Sequence, residues 1–147
     1  VWDAGIVVVA AAGNNGPKDK SITIPGLCRK IITVGSSDDE EGEVKNLGLM
    51  RGYSGRGPTE ACIMKPEVVA PGTAIVSCKR MGNGYEMKSG TSMATPVVAG
   101  AVAVLLSRYS NLKPAEVKLR LYETSVDTGK SKHAQGWGRL DVMQLIR

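Results

Sequence analysis

An α/β fold, with a mostly parallel doubly wound sheet and flanking helices, is predicted by three features of the chain. Residues 6–11 read Ile-Val-Val-Val-Ala-Ala between Gly5 and Gly13, and residues 31–35 read Ile-Ile-Thr-Val-Gly. Continuous β-branched and apolar runs of this length are typical of parallel strands covered on both faces. Residues Met93 to Leu106 are almost all small or apolar, with no charged side chain before Arg108, and a helix apolar all round is a buried helix. A length of 147 residues suits one domain, residues 1–147, which buries roughly 68–70% of its unfolded surface.

Composition narrows the partners. The net charge is +5, the Lys and Arg are spread without a basic run, and there is no Phe, so no nucleic-acid footprint is indicated. The apolar helix core is about fourteen residues, short of the roughly 20 that span a membrane. Cys28, Cys62 and Cys78 cannot all pair within one chain, and none stands in a Cys-x-x-Cys spacing. They read as buried or semi-buried free thiols, which leans toward a reducing, cytoplasmic compartment or a producer that tolerates free thiols.

Taken in order, the first strand ends in Ala12-Gly13-Asn14-Asn15-Gly16-Pro17, a loop at the carboxyl end of a strand, where open α/β sheets bind ligands. Residues 17–30 read as loop, with a turn at Thr23-Ile24-Pro25-Gly26. After the second strand, Ser36 to Glu43 is the most acidic stretch. Its spacing matches no calcium loop of the Asp-x-Asp-x-Asp-Gly type, so it reads as a solvated turn. Tyr53–Thr59 and Met64–Gly72 carry the Gly and Pro that punctuate short extended pieces. Ala74–Cys78 and Gly84–Lys88 then pair as a hairpin around Arg80–Asn83.

The apolar helix opens at Gly90-Thr91-Ser92. Pro96 is tolerated only near a helix start, so the first turn falls at about 91–95. Ser92 then lies where unpaired backbone N–H groups and the positive end of the macrodipole favour a developing negative charge. Taken alone, these residues suit an N-cap as well as a nucleophile. After Leu106 the helix runs out through Arg108. Pro114 opens a second helix with Val117, Leu121 and Tyr122 on one face and Glu116, Lys118, Arg120 and Glu123 pointing away. A glycine-rich link, Gln135–Leu140, leads to a short helix over 141–146.

Gly-Thr-Ser-Met-Ala-Thr-Pro-Val-Val-Ala-Gly, residues 90–100, resembles the nucleophile segment of the subtilisin-like serine peptidases, the subtilases. Val97 stands where many members carry a non-catalytic His. Val-Val-Val-Ala-Ala-Ala-Gly-Asn-Asn-Gly, residues 7–16, resembles the segment that supplies that family's oxyanion-hole asparagine, here Asn14. Residues 53–59 and 64–72 resemble framework motifs between them, in family order, so the resemblance covers nearly the whole chain.

The resemblance implies a subtilisin-like partial domain, the carboxyl-terminal half of a peptidase domain, acting on polypeptide substrates. Ser92 is then the nucleophile, and Asn14 Nδ2 with the Ser92 N–H are the oxyanion donors. Ala11, Ala12 and Gly13 line the wall of the specificity pocket, and Thr23 limits its depth, which implies medium apolar substrate residues. A cis peptide is implied before Pro25. No cofactor is required; calcium is common in the family, but no site is identifiable. A secreted or cell-associated location is implied, against the lean of the cysteines.

In the family, the general base and its orienting aspartate come from segments before the oxyanion asparagine. The only histidine here is His133, in a polar loop without a His-Gly-Thr context, and it reads as a solvated loop residue. The chain by itself is therefore expected to be inactive or nearly so. The missing amino-terminal half is the expected partner, with self-association through the cut surface as a second outcome. The alternative is a non-catalytic binding or regulatory half-domain, or a pseudopeptidase.

Overall fold

The computed structural model describes residues 1–40 and 51–147. Glu41 and Glu43 of the acidic stretch lie outside them. A parallel three-stranded sheet, in the order β1-β2-β3, is formed by β1 (Val9–Ala11), β2 (Ile32–Ser36) and β3 (Val68–Ala70). The register sets Ala10 opposite Thr33 and Gly35 opposite Val69. The central strand β2 and its neighbour β3 are buried throughout, β2 as its apolar run predicts.

The first strand is shorter than predicted. Ile6 is 57% exposed, and the last contact of the lead-in is Ile32 N–H donating to Val8 O at 3.0 Å. Its neighbour β2 begins only at Ile32, so residues before Val8 have no strand to pair with. β1 is an edge strand of this sheet, and its Val9 and Ala11 are only half-buried.

Helix α1 (Thr91–Arg108) packs on all three strands. It starts where Pro96 requires. The expectation of burial all round is corrected: Thr91, Ala94, Val98, Ala101, Val102 and Leu105 are buried, while Val97 is 37% and Val104 48% exposed. A sheet covers a helix along one stripe only, and among the described residues nothing covers the other side. By length and composition α1 is apolar enough to cross a membrane, but its seat on the sheet makes it a core helix.

The predicted hairpin forms from β4 (Ile75–Cys78) and β5 (Tyr85–Lys88), with Ile75 opposite Lys88. It ends two residues before α1. Helix α2 (Pro114–Thr124) buries Val117 and Leu121, but Tyr122 is 57% exposed and packs edge-on against Trp137 at 5.5 Å. Lys118 does not point away; its Nζ reaches the carbonyls of Arg29 and Ile31 at 2.9 and 3.1 Å. Arg120 also turns inward, donating to Leu145 O at 2.7 Å. The link after α3 (Lys132–Gln135) is more than a spacer. Val69 N–H donates to Gly138 O and Leu140 N–H to Val69 O, so it runs beside β3 before α4 (Val142–Leu145), which Asp141 caps through Gln144 N–H.

Candidate active site

The carboxyl end of β1 and the amino end of α1 meet through Thr91. Gly13 turns the chain with φ at +94°, and its N–H donates to Thr91 Oγ1 at 3.1 Å. Asn14 Oδ1 accepts from Thr91 N–H at 3.0 Å and from Thr91 Oγ1 at 3.1 Å. Thr91 itself is wholly buried. With Oδ1 doubly engaged, the amide group of Asn14 is oriented, and among the described residues Nδ2 has no acceptor. Nor has the N–H of Ser92, which stands exposed in the first turn of α1.

Neighbouring segments brace both sides of this junction. Gly55 N–H donates to Gly13 O and Gly16 N–H to Tyr53 O, at 2.8 and 2.9 Å. On the helix side Gly90 N–H donates to Gly72 O at 2.8 Å. Gly90 has a φ of +147°, and a Cβ there would stand 3.1 Å from Asn14 Nδ2, so a larger residue crowds the amide. Gly72 is fixed in turn by Asp38, whose Oδ1 accepts from the N–H groups of Gly72 and Thr73 at 2.8 and 3.1 Å. Tyr53 OH bridges Ser36 Oγ and Thr73 Oγ1 at 2.9 and 3.0 Å, and burial pushes its pKa up.

A groove of about 460 Å³ opens over the junction, lined by Ala11, Gly13, Asn14, Thr23, Thr91 and Ser92 among others. Five of the six site residues predicted from sequence therefore share one groove. Ala12 is the sixth, and it is fully buried. It contributes through its backbone, the carbonyl accepting from Thr23 N–H at 2.9 Å and Oγ1 at 3.4 Å, which sets the Thr23 side chain against Gly13. The peptide bond between Ile24 and Pro25 is cis, as the resemblance implied. Thr91 was missed as a site residue. Its place between two motif residues was visible, but its partners lie 77 and 78 positions away.

The acidic stretch is not simply a solvated turn. Asp39 is buried and accepts from Ser54 N–H at 3.1 Å, while Asp38 holds the Gly72 turn. These oxygens of Asp38 and Asp39 are spent on backbone N–H donors. Among the described residues no group of three or more His, Cys, Asp and Glu is placed to hold a metal. His133 lies in α3 with its Nδ1 2.8 Å from Asp19 Oδ2; it is paired rather than simply solvated, and is not among the groove's lining residues. All three cysteines are exposed, which corrects the expectation of buried thiols: each sits outside the apolar faces of the elements that form the core.

The subtilase family model matches residues 2–138. Serine protease AprX of Bacillus subtilis (strain 168) is 39% identical over 150 residues, covering 93% of this chain and 34% of that protein. The halolysin-like extracellular serine protease Nep of Natrialba magadii is 36% identical, covering 94% of this chain and 23% of that protein. Among solved structures, the prenylagaramide maturation protease PagA superposes with a TM-score of 0.77 at 26% identity, over 98% of this chain and 50% of that one. The chain thus spans between about a quarter and a half of the proteins it resembles.

Proposed function

The chain belongs to the subtilase family, and from that premise we propose that it carries the nucleophile and oxyanion side of a serine endopeptidase. Ser92 Oγ attacks the scissile carbonyl carbon, and its proton passes to a base. The carbonyl oxygen becomes an oxyanion that accepts from Asn14 Nδ2 and Ser92 N–H. Collapse breaks the C–N bond, releases the amine with the returned proton and leaves an ester on Ser92, which water hydrolyses. Donors fixed before the charge develops need no reorganisation when it does. The observation that carries this reading is the double tie of Asn14 Oδ1 to Thr91, which leaves the amide nitrogen as the donor facing Ser92's groove.

Ala11, Gly13 and Thr23 form the pocket wall, with Ala12 holding Thr23 from behind. The narrow wall suits a medium apolar side chain before the scissile bond; a preference for Lys or Arg across a peptide panel would overturn this. The base is not His133, which does not line the groove of Ser92. The 147 residues alone are therefore inactive, and the base comes from polypeptide outside them. That partner covers the open side of α1 around Val97 and Val104 and the outer edge of β1; without it, the same apolar face drives self-association. Extracellular action, which the name of Nep gives for that protein, is our reading for this chain; it rests on that likeness and not on the exposed thiols.

The test is a fluorophosphonate probe. The 147-residue chain should label no faster than after denaturation, and a polypeptide extended upstream should label at Ser92 and lose labelling in Ser92→Ala. Rapid labelling of the chain alone would refute the missing base. Failure of the extended protein to label would favour the non-catalytic binding role, which draws on the same absent base.

A further inference from the structure

Outside the groove of Ser92, the chain's only two tryptophans, Trp2 and Trp137, come together in a second, larger groove of about 600 Å³. Leu119 and Tyr122 of α2 complete its apolar wall, 55% and 57% exposed. Tyr122 meets Trp137 edge to face at 5.5 Å, and Lys118 Nζ stands 6.0 Å over the Trp137 ring. The aromatic wall is thus held in place before anything binds. Neither indole N–H has a hydrogen-bond acceptor among the described residues, so both remain available as donors. Large, rigid aromatic surfaces with an unused polar tip are what binding hot spots are made of.

Its rim is cationic. Arg29, Lys30 and Lys118 line the groove. Lys30 is neutralised by Asp3 at 2.7 Å, but Arg29 has no acidic partner among the described residues. Lys118 shares Glu67 with Lys65, both at 2.7 Å. One carboxylate cannot neutralise two ammonium groups, so a positive charge is left over beside Arg29. We propose that this groove is a binding site for an extended acidic peptide segment, with an apolar or aromatic side chain seated between Trp2, Leu119 and Trp137 and a flanking carboxylate on Arg29, in the positive field of Lys118, whose own N–H donors are spent on Glu67 and the carbonyls of Arg29 and Ile31. The site is separate from the groove of Ser92 and does not depend on whether Ser92 cleaves anything.

Both tryptophans report on it directly. The 147-residue chain is titrated with acetyl-Asp-Glu-Phe-Leu-Glu-Asp-amide, which has no tryptophan, and emission is followed together with iodide quenching. A saturable blue shift with loss of quenching is expected, absent with the counterpart in which Lys replaces each acidic residue. Leu119→Glu and Arg29→Glu lie on exposed positions and should keep the circular dichroism of the parent while weakening binding by about tenfold or more, the effect of losing about 1.4 kcal/mol. Raising salt should weaken binding by Arg29→Glu less than by the parent. The proposal is overturned by no shift at millimolar peptide, by equal binding of the basic peptide, or by indifference to Leu119→Glu. It is equally overturned if iodide cannot reach either indole in the unliganded chain, or if vesicles of phosphatidylcholine and phosphatidylserine give the larger shift, which would reassign the face to lipid.

Discussion

Replacing Thr91 by Val asks whether one buried hydroxyl holds the two halves of the site together. The change is isosteric, and Thr and Val have similar helix propensities, so packing and helix formation are little altered. Two hydrogen bonds go: Thr91 Oγ1 to Asn14 Oδ1 and Gly13 N–H to Thr91 Oγ1, both at 3.1 Å. The bond from Thr91 N–H to Asn14 Oδ1 at 3.0 Å survives. A net hydrogen bond contributes about 0.5–1.5 kcal/mol, and a buried donor left unpaired costs about 1–3 kcal/mol. Because the Gly13 N–H is only part-buried, water satisfies some of that loss, and a destabilisation of about 2 kcal/mol follows. In a chain of this size that lowers Tm by about 4–8 °C. Urea unfolding followed by circular dichroism should show a lower midpoint at unchanged slope. The side-chain amide resonances of Asn14 should shift while the amides of β3 stay put. Ser92→Ala, one residue along but exposed, should change stability by no more than about 0.5 kcal/mol. A Thr91→Val effect under that value, or an unmoved Asn14 amide, would refute the idea that Thr91 ties loop to helix.

Other perturbations reach further into the fold. Lys65 is wholly buried, its Nζ bonded to Glu67 and to Ile31 O and Thr33 Oγ1 at 3.0 Å; Glu67→Leu strands that ammonium and should cost about 3–5 kcal/mol in a urea melt. Lys65→Met should cost less, because Glu67 keeps Lys118 and the Thr33 N–H at 2.7 Å; the reverse order would be wrong for this cluster. Desolvation holds the Lys65 pKa below its usual 10.5, so the unfolded chain binds the extra proton in the window below that value. The parent should therefore gain stability relative to Lys65→Met as pH rises toward 10.5. Asp127 is held at a pKa of about 2, chiefly by the Gly129 N–H and then by Lys132 and Gln135. Its stabilising effect is complete above 3.8 and is lost as pH falls through about 2; a carboxyl resonance titrating near 3.8 would contradict that geometry. Val97→Asp with Val104→Asp should leave the chain's own unfolding within about 0.5 kcal/mol but abolish its concentration-dependent sedimentation, and self-association that persists would move the contact elsewhere.

How far the site could be read in advance depends on how local each signal is. Gly13-Asn14 and Thr91-Ser92 lie in contiguous motifs, so their placement at a strand end and a helix start followed from apolar runs and the position of Pro96. The two segments line one groove. Thr91's double role did not show, because any small hydroxyl at a helix start looks like a cap. Lys118 and Arg120 were read as solvent-facing since helical period assigns them to the polar side. Their long aliphatic stems nonetheless carry the charged ends back to carbonyls at Ile31 and Leu145, a reach that periodicity cannot register.

The sequence by itself determined the family, the order of parallel strands and helices, and which residues stand at the ends of β1 and α1, because each is written in a short run of adjacent residues. The tertiary structure alone decided that α1 is covered on one side, that the acidic turn spends Asp38 and Asp39 on backbone donors, and that two tryptophans 135 positions apart share a groove. Those outcomes depend on which distant surfaces arrive at the same place. Apolar periodicity states that a face seeks cover and a polar group seeks a partner, but only the packed chain supplies one or leaves it wanting.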